Sequence, residues 1–159
     1  MHQMYTSQLF IESKSALENS GGLKQAFNLL PRGAEISVIL DKRIPCALVL
    51  NDNFELLLEP RKANKPDFEF IIYPELIRIL KSNKLNDLFS FYKEFAAAHF
   101  SGNLQFSILC PIGDLYKKGY LSSLKKLPKE LQGEFMNYFF KLAMTVNQSI
   151  ENVRKIFKK

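Results

Sequence analysis

Residues 67–109, DFEFIIYPELIRILKSNKLNDLFSFYKEFAAAHFSGNLQFSIL, read as strand, short helix, longer helix and strand. Phe68, Phe70 and Ile72 alternate with Glu69 and Ile71, the period of two expected of a half-buried strand. Tyr73-Pro74 ends it. Proline suits the first helical position, because its ring presets φ and the N–H it lacks would have no helical partner there. Leu76, Ile77, Ile79 and Leu80 then crowd a short helix. Past Ser82-Asn83, the set Leu85, Leu88, Phe89, Tyr92, Phe95, Ala96 and His99 recurs with helical spacing and predicts an amphipathic helix of about four turns. Ser101-Gly102 stops that helix, with the glycine placed to cap it, and Leu104, Phe106 and Ile108 alternate again. No nucleophile motif, metal cluster or phosphate loop lies here. The mark of the stretch is phenylalanine on elements that face each other.

Working outward, the residues before it predict more strands. Tyr5 to Leu17 carries a weak helical stripe, Asn19-Ser20-Gly21-Gly22 reads as a loop or cap, and Leu23, Ala26, Phe27 and Leu30 make a second short helix. Ile36, Val38 and Leu40 alternate, then Cys46, Leu48 and Leu50, then Phe54, Leu56 and Leu58. Asp41-Lys42-Arg43 and Asn51-Asp52-Asn53 sit between these runs as turns, since Asn and Asp tolerate a left-handed backbone. Residues 35–59 therefore predict a three-stranded antiparallel meander with one apolar face. Pro60 to Pro66 reads as a polar loop. The expected fold is α+β, with an antiparallel-rich sheet of about five strands (35–41, 45–50, 54–59, 67–73 and 103–109) covered by helices on one face. After Leu109 the pattern weakens. Cys110 to Asp114 must turn, 115–127 allows a helix interrupted by Gly119, and a long last helix is expected at about 128–157.

A chain of 159 residues is expected to be a single domain, 1–159, long enough to bury its core without disulfides. Fourteen Phe and no Trp make a skewed aromatic set. Cys46 and Cys110 match no metal-ligand spacing and read as buried apolar thiols of a reducing compartment. Met1 to Thr6 lacks a basic start and an apolar run, and no stretch approaches a membrane span, so cytoplasm is the expected location. Charge is uneven. Residues 1–110 balance, so the whole excess of +6 lies in the last 49 residues. A basic, aromatic-rich tail attracts an anionic membrane surface or nucleic acid, and equally describes a solvated helix face.

The order helix, antiparallel strands, PDFEFIIYPELIRIL, a phenylalanine-rich helix and FSGNLQFSI resembles the sterol carrier protein family of lipid-binding domains. The resemblance covers 23–125, with 128–157 as a helical extension. In that family a strand beginning near Pro-Asp runs into a short helix, and a later strand is introduced by a Gly-Lys-Leu-like turn. Here Pro66-Asp67 and Ser101-Gly102-Asn103-Leu104 hold those positions. The family often has Gly-Asp directly after the last strand, whereas here Gly113-Asp114 follows the inserted Leu109-Cys110-Pro111-Ile112. Some bacterial members assist ubiquinone biosynthesis, a role the resemblance allows without selecting it.

The resemblance implies non-catalytic binding of a lipid, acyl, sterol or isoprenoid chain in an apolar pocket between the sheet and the 75–100 helices, for transfer or presentation to enzymes. The residues expected to line it are Phe68, Phe70, Leu76, Leu80, Phe89, Tyr92, Phe95 and Phe106. Without the resemblance, the same residues read as a plain packed core. Arg154, Lys155, Ile156, Phe157, Lys158 and Lys159 form a basic amphipathic end suited to reversible docking on an anionic membrane. The alternative is a basic nucleic-acid-binding or protein-interaction module using the C-terminal helix, with nucleic acid the less favoured. An enzyme is least expected. His99 lies on an apolar face with no carboxylate placed to orient it, Glu55 and Glu59 read as solvated strand residues, and neither G-x-S-x-G nor a P-loop occurs. No cofactor or metal is expected.

Overall fold

The computed structural model describes residues 2–82, 85–120 and the isolated positions 129, 132 and 133. The chain divides after Tyr120, and the description concerns the unit before it. Its elements are α1 (His2–Glu18), α2 (Gly21–Phe27), β1 (Glu35–Leu40), β2 (Ile44–Leu50), β3 (Leu56–Glu59), β4 (Phe68–Ile72), α3 (Pro74–Ser82), α4 (Leu88–Ser101), β5 (Leu104–Ile108) and α5 (Ile112–Lys117). The fold is α+β, as expected. The five strands lie in the order β3-β2-β1-β4-β5, antiparallel throughout except for the parallel pair β1–β4.

The register sets one apolar face. Val38 pairs with Cys46 on one side and with Phe70 on the other, and Phe70 pairs with Phe106. Side chains alternate along each strand, so Ile36, Val38, Leu40, Cys46, Leu48, Leu56, Leu58, Phe68, Phe70, Ile72, Leu104, Phe106 and Ile108 all point toward the helices. α1 packs over β3 and β1 and against α3, while α4 lies over β5 and against α2. On the other face, Arg61 grips the Glu35 carboxylate through both terminal nitrogens (2.8 and 3.0 Å), and the Asn64 N–H donates to it at 2.6 Å. These bonds hold the loop 60–67 as it returns from β3 to the start of β4.

The turns follow the residues that can make them. Asp41 and Lys42 both take positive φ between β1 and β2. Asn51 turns the next hairpin, its side-chain oxygen accepting from the N–H groups of Asn53 (2.9 Å) and Glu55 (2.8 Å). That turn carries Phe54 to φ 59°, so β3 begins at Leu56 and not at the expected 54. Gly102 ends α4 at φ 86° and Asn103 N–H reaches back to Ala98 at 2.9 Å, the expected glycine cap. Cys110 to Asp114, expected as a turn, leads through Pro111 into α5. The long helix expected at 128–157 lies outside the described residues.

Two elements differ from the sequence expectation in an instructive way. Gly21 and Gly22 open α2 behind the N-cap Ser20, and neither has positive φ. Space demands them, because Gly22 N–H donates to Leu85 at 2.8 Å, and the backbone there touches the entry to α4. α4 itself buries Phe91, Phe95 and Ala98, positions four and three residues apart, whereas Phe89, Tyr92, Ala96 and His99 from the predicted stripe lie at its flanks.

Candidate ligand-binding site

β4, β5 and α4 bring five rings into one chain of contacts, and Tyr120, beyond α5, adds a sixth. Phe91 and Phe95, one turn apart on α4, have centroids 4.1 Å apart. The Phe95 ring meets Phe70 of β4 edge-on at 5.9 Å. Phe70 lies 5.1 Å from Phe106 of β5, Phe106 stacks on Phe68 at 5.7 Å, and Tyr120 meets Phe68 edge-on at 5.1 Å. Edge-to-face and offset pairs at these separations gain beyond their buried area, because a positive ring edge faces a negative ring face. Four of the eight residues expected to line a pocket, Phe68, Phe70, Phe95 and Phe106, thus come together. Phe91 and Tyr120 join them.

The cluster is not sealed evenly. Under α1 the middle of the sheet is closed, with Val38, Leu40 and Leu58 at 0% exposure and Leu48 at 1%, and Ile44 and Leu50 at the ends of β2 half-buried. Toward β5 the same face stays partly open, and Phe70, Phe106 and Ile108 are only half-buried although they point toward the helices. Of the other expected residues, Leu76 and Leu80 are buried on α3. Tyr92 is half-buried on α4. Phe89 is half-buried too, its ring under the Lys93 ammonium at 4.3 Å. A groove of about 220 Å³ lies away from the rings, between α1 and α3, and is lined by Tyr5, Leu9, Glu12, Ile77, Arg78 and Lys81 among others. None of the eight expected residues lines it. Arg154, Lys155, Ile156, Phe157, Lys158 and Lys159 lie outside the described residues.

A polar clasp holds the end of this aromatic chain. Asp67 accepts from Tyr120 Oη and Lys118 Nζ, both at 2.6 Å, just ahead of Phe68. Desolvation raises the Asp67 pKa, but the hydrogen bonds from Lys118 and Tyr120 outweigh it and hold the carboxyl below its ordinary value. Burial and the bond to Asp67 push the Tyr120 hydroxyl well above its own. Cys110 is half-buried beside Asp67, whereas Cys46 is buried and its thiol is pushed up to about 11 by burial. His99 has its Nδ1 buried with no hydrogen-bond partner among the described residues and its ring edge-on to Phe100. Among the described residues no group of three or more His, Cys, Asp or Glu could hold a metal, and no helix is long and apolar enough to cross a membrane.

The clasp predicts how stability depends on pH. An Asp67 pKa lowered by folding contributes stability above about pH 4 that is lost as pH falls through the folded value. A raised Tyr120 pKa contributes stability below about pH 10 that is lost as pH rises further. Thermal unfolding across pH should therefore fall off at both ends. Tyr120→Phe keeps the ring against Phe68 and removes the bond to Asp67. We expect it to cost about 1–2 kcal/mol at neutral pH and to flatten the alkaline fall. Unchanged unfolding in Tyr120→Phe would show that the clasp is inert.

No protein-family model matches this chain, and no curated protein matches it. Among solved structures it is similar to one described as "UbiJ-SCP2 Ubiquinone synthesis protein", at a TM-score of 0.40 and 20% identity. That likeness covers 67% of this chain and 84% of that one.

Proposed function

We propose that residues 1–120 bind a hydrophobic chain, acyl, sterol or isoprenoid, without covalent chemistry, over the rings between α4 and the β4–β5 end of the sheet. The observation that carries this reading is the contrast across one apolar face. The middle of β1 to β3 is closed at Val38, Leu40, Leu48 and Leu58, with Ile44 and Leu50 half-buried at the two ends of β2, while at β4 and β5 the central Phe70 and Phe106, with Ile108, keep part of their apolar surface open under α4. Each CH₂ of a ligand chain laid there gains roughly 0.8 kcal/mol on leaving water. Among the described residues, Lys93 lies beside Phe89 and Lys118 beside Asp67, and the rings between them offer packing and orientation. Transfer or presentation of the chain to enzymes is the role this binding would serve. Titration with a fluorescent long-chain fatty acid tests the reading. We expect saturable enhancement that unlabelled long-chain lipid competes away. Enhancement that never saturates would contradict it.

A carrier of this kind needs a way to reach membrane, and the +6 excess carried by the last 49 residues favours an anionic surface. We assign that docking to Arg154, Lys155, Ile156, Phe157, Lys158 and Lys159. Nucleic acid and a protein partner are the competing ligands of this tail. Liposome co-sedimentation with and without residues 150–159, beside a nucleic-acid shift assay, separates them. Equal liposome binding by both proteins would remove the assignment.

A further inference from the structure

The two edges of the sheet are treated differently. At β3, the Leu58 N–H donates to the Glu18 carboxylate at 2.9 Å, and the Leu58 carbonyl accepts from Lys14 Nζ at 3.3 Å. α1 thus occupies the backbone groups a further strand would need. Unguarded edges invite pairing with another chain, and this clamp blocks it. At β5 no described residue does the same. Tyr73 N–H donates to Asn103 at 3.2 Å and Leu109 N–H to Asp67 at 2.8 Å, so 103 and 109 bond inward to β4. Antiparallel ladders alternate, so Gln105 and Ser107 bond inward too, and Leu104, Phe106 and Ile108 aim their N–H and C=O groups away from the sheet. From Gly102 to Gly113 the chain carries no charge, and β5 has no proline, which are the usual edge guards. A row of outward N–H and C=O groups on an extended strand is recognised by another extended backbone.

We propose that β5 is the pairing edge of a homodimer, in which β5 of a second copy lies antiparallel to it about a two-fold axis at Phe106. This strand fits itself. In that register Leu104 opposes Ile108 of the second copy and Phe106 opposes Phe106, so the apolar row on the helix-covered face runs on across the axis. On the other face Gln105 opposes Ser107 of the second copy, and no like charges meet. The pairing is isologous and closes on itself.

Sedimentation of the full chain over a range of concentration tests this, with two double variants on the outward face. Gln105→Lys with Ser107→Lys sets lysine against lysine at both cross-strand positions. We expect the dimer dissociation constant to rise roughly tenfold or more. Gln105→Glu with Ser107→Lys sets opposite charges there and should restore wild-type association. Both positions lie on the face away from the ring cluster, and the lysine that replaces Ser107 would sit beside Glu69, so the fold is kept. In the wild type, amide exchange at Leu104, Phe106 and Ile108 should slow as concentration rises. A wild type that stays monomeric, a dimer that the double-lysine variant does not weaken, or a charge-swapped variant that fails to re-associate would each overturn the proposal.

Discussion

Phe95→Ala is expected to lower the stability of the protein by about 3–5 kcal/mol, the usual cost of removing a buried phenylalanine and leaving its cavity. Phe95 is 7% exposed and is the link between the helix and the sheet, with Phe91 on one side of it and Phe70 on the other. Its loss leaves the two halves of the ring chain without contact, and α4 cannot close the gap because Gly22 already fixes its approach to α2. Denaturant unfolding measures the effect. A cost below about 1 kcal/mol, the scale of a typical surface change, would mean that the ring cluster does not hold α4 to the sheet. Phe89→Ala is the comparison. Phe89 is half-buried off the cluster, so the same truncation should cost far less.

Gly22→Ala should cost about 1–3 kcal/mol although alanine is the better helix former. A Cβ at Gly22 would lie 2.4 Å from the Asp87 carbonyl oxygen and 2.5 Å from Phe91 Cβ, and backbone cannot swing aside. Gly113→Ala makes the opposite case within the same molecule. Gly113 is also helical, in α5, but a Cβ there meets nothing within 4 Å. That change should be neutral or stabilising by up to about 1 kcal/mol through the unfolded chain. Thermal melts of the two variants decide the matter. Equal shifts in the same direction would refute the packing account of α2 against α4.

How much of this could be read beforehand depends on where the information lies. The strands were legible because Ile36-Val38-Leu40 and Phe68-Phe70-Ile72 carry a period of two with one face buried, and a slipped register would expose every one of them. The parallel pairing of β1 with β4 was not. It joins residues some thirty positions apart, and no local residue signals it. α3 was legible, with Leu76, Ile77 and Leu80 buried as spaced. The rotation of α4 was not, since LFSFYKEFAAAHF has apolar residues on nearly every side and periodicity cannot choose among them. Contact with Gly22 and Phe70 chooses instead, which is why Phe91 enters the site and Phe89 does not. Asp67 belongs to the legible Pro66-Asp67 pair, but its partners Lys118 and Tyr120 lie where the hydrophobic pattern weakens. The open state of Phe70 and Phe106 is a matter of how α4 sits, which composition does not record.

The most direct measurement is native mass spectrometry of the intact protein purified from its own host, with the bound material extracted and weighed. Binding of a hydrophobic chain over the rings predicts discrete adducts in the mass range of single lipids, lost when Phe70 is changed to a polar residue in a protein that still unfolds cooperatively. A wild-type protein that carries no lipid, and takes up none when long-chain lipids are supplied, would contradict the account.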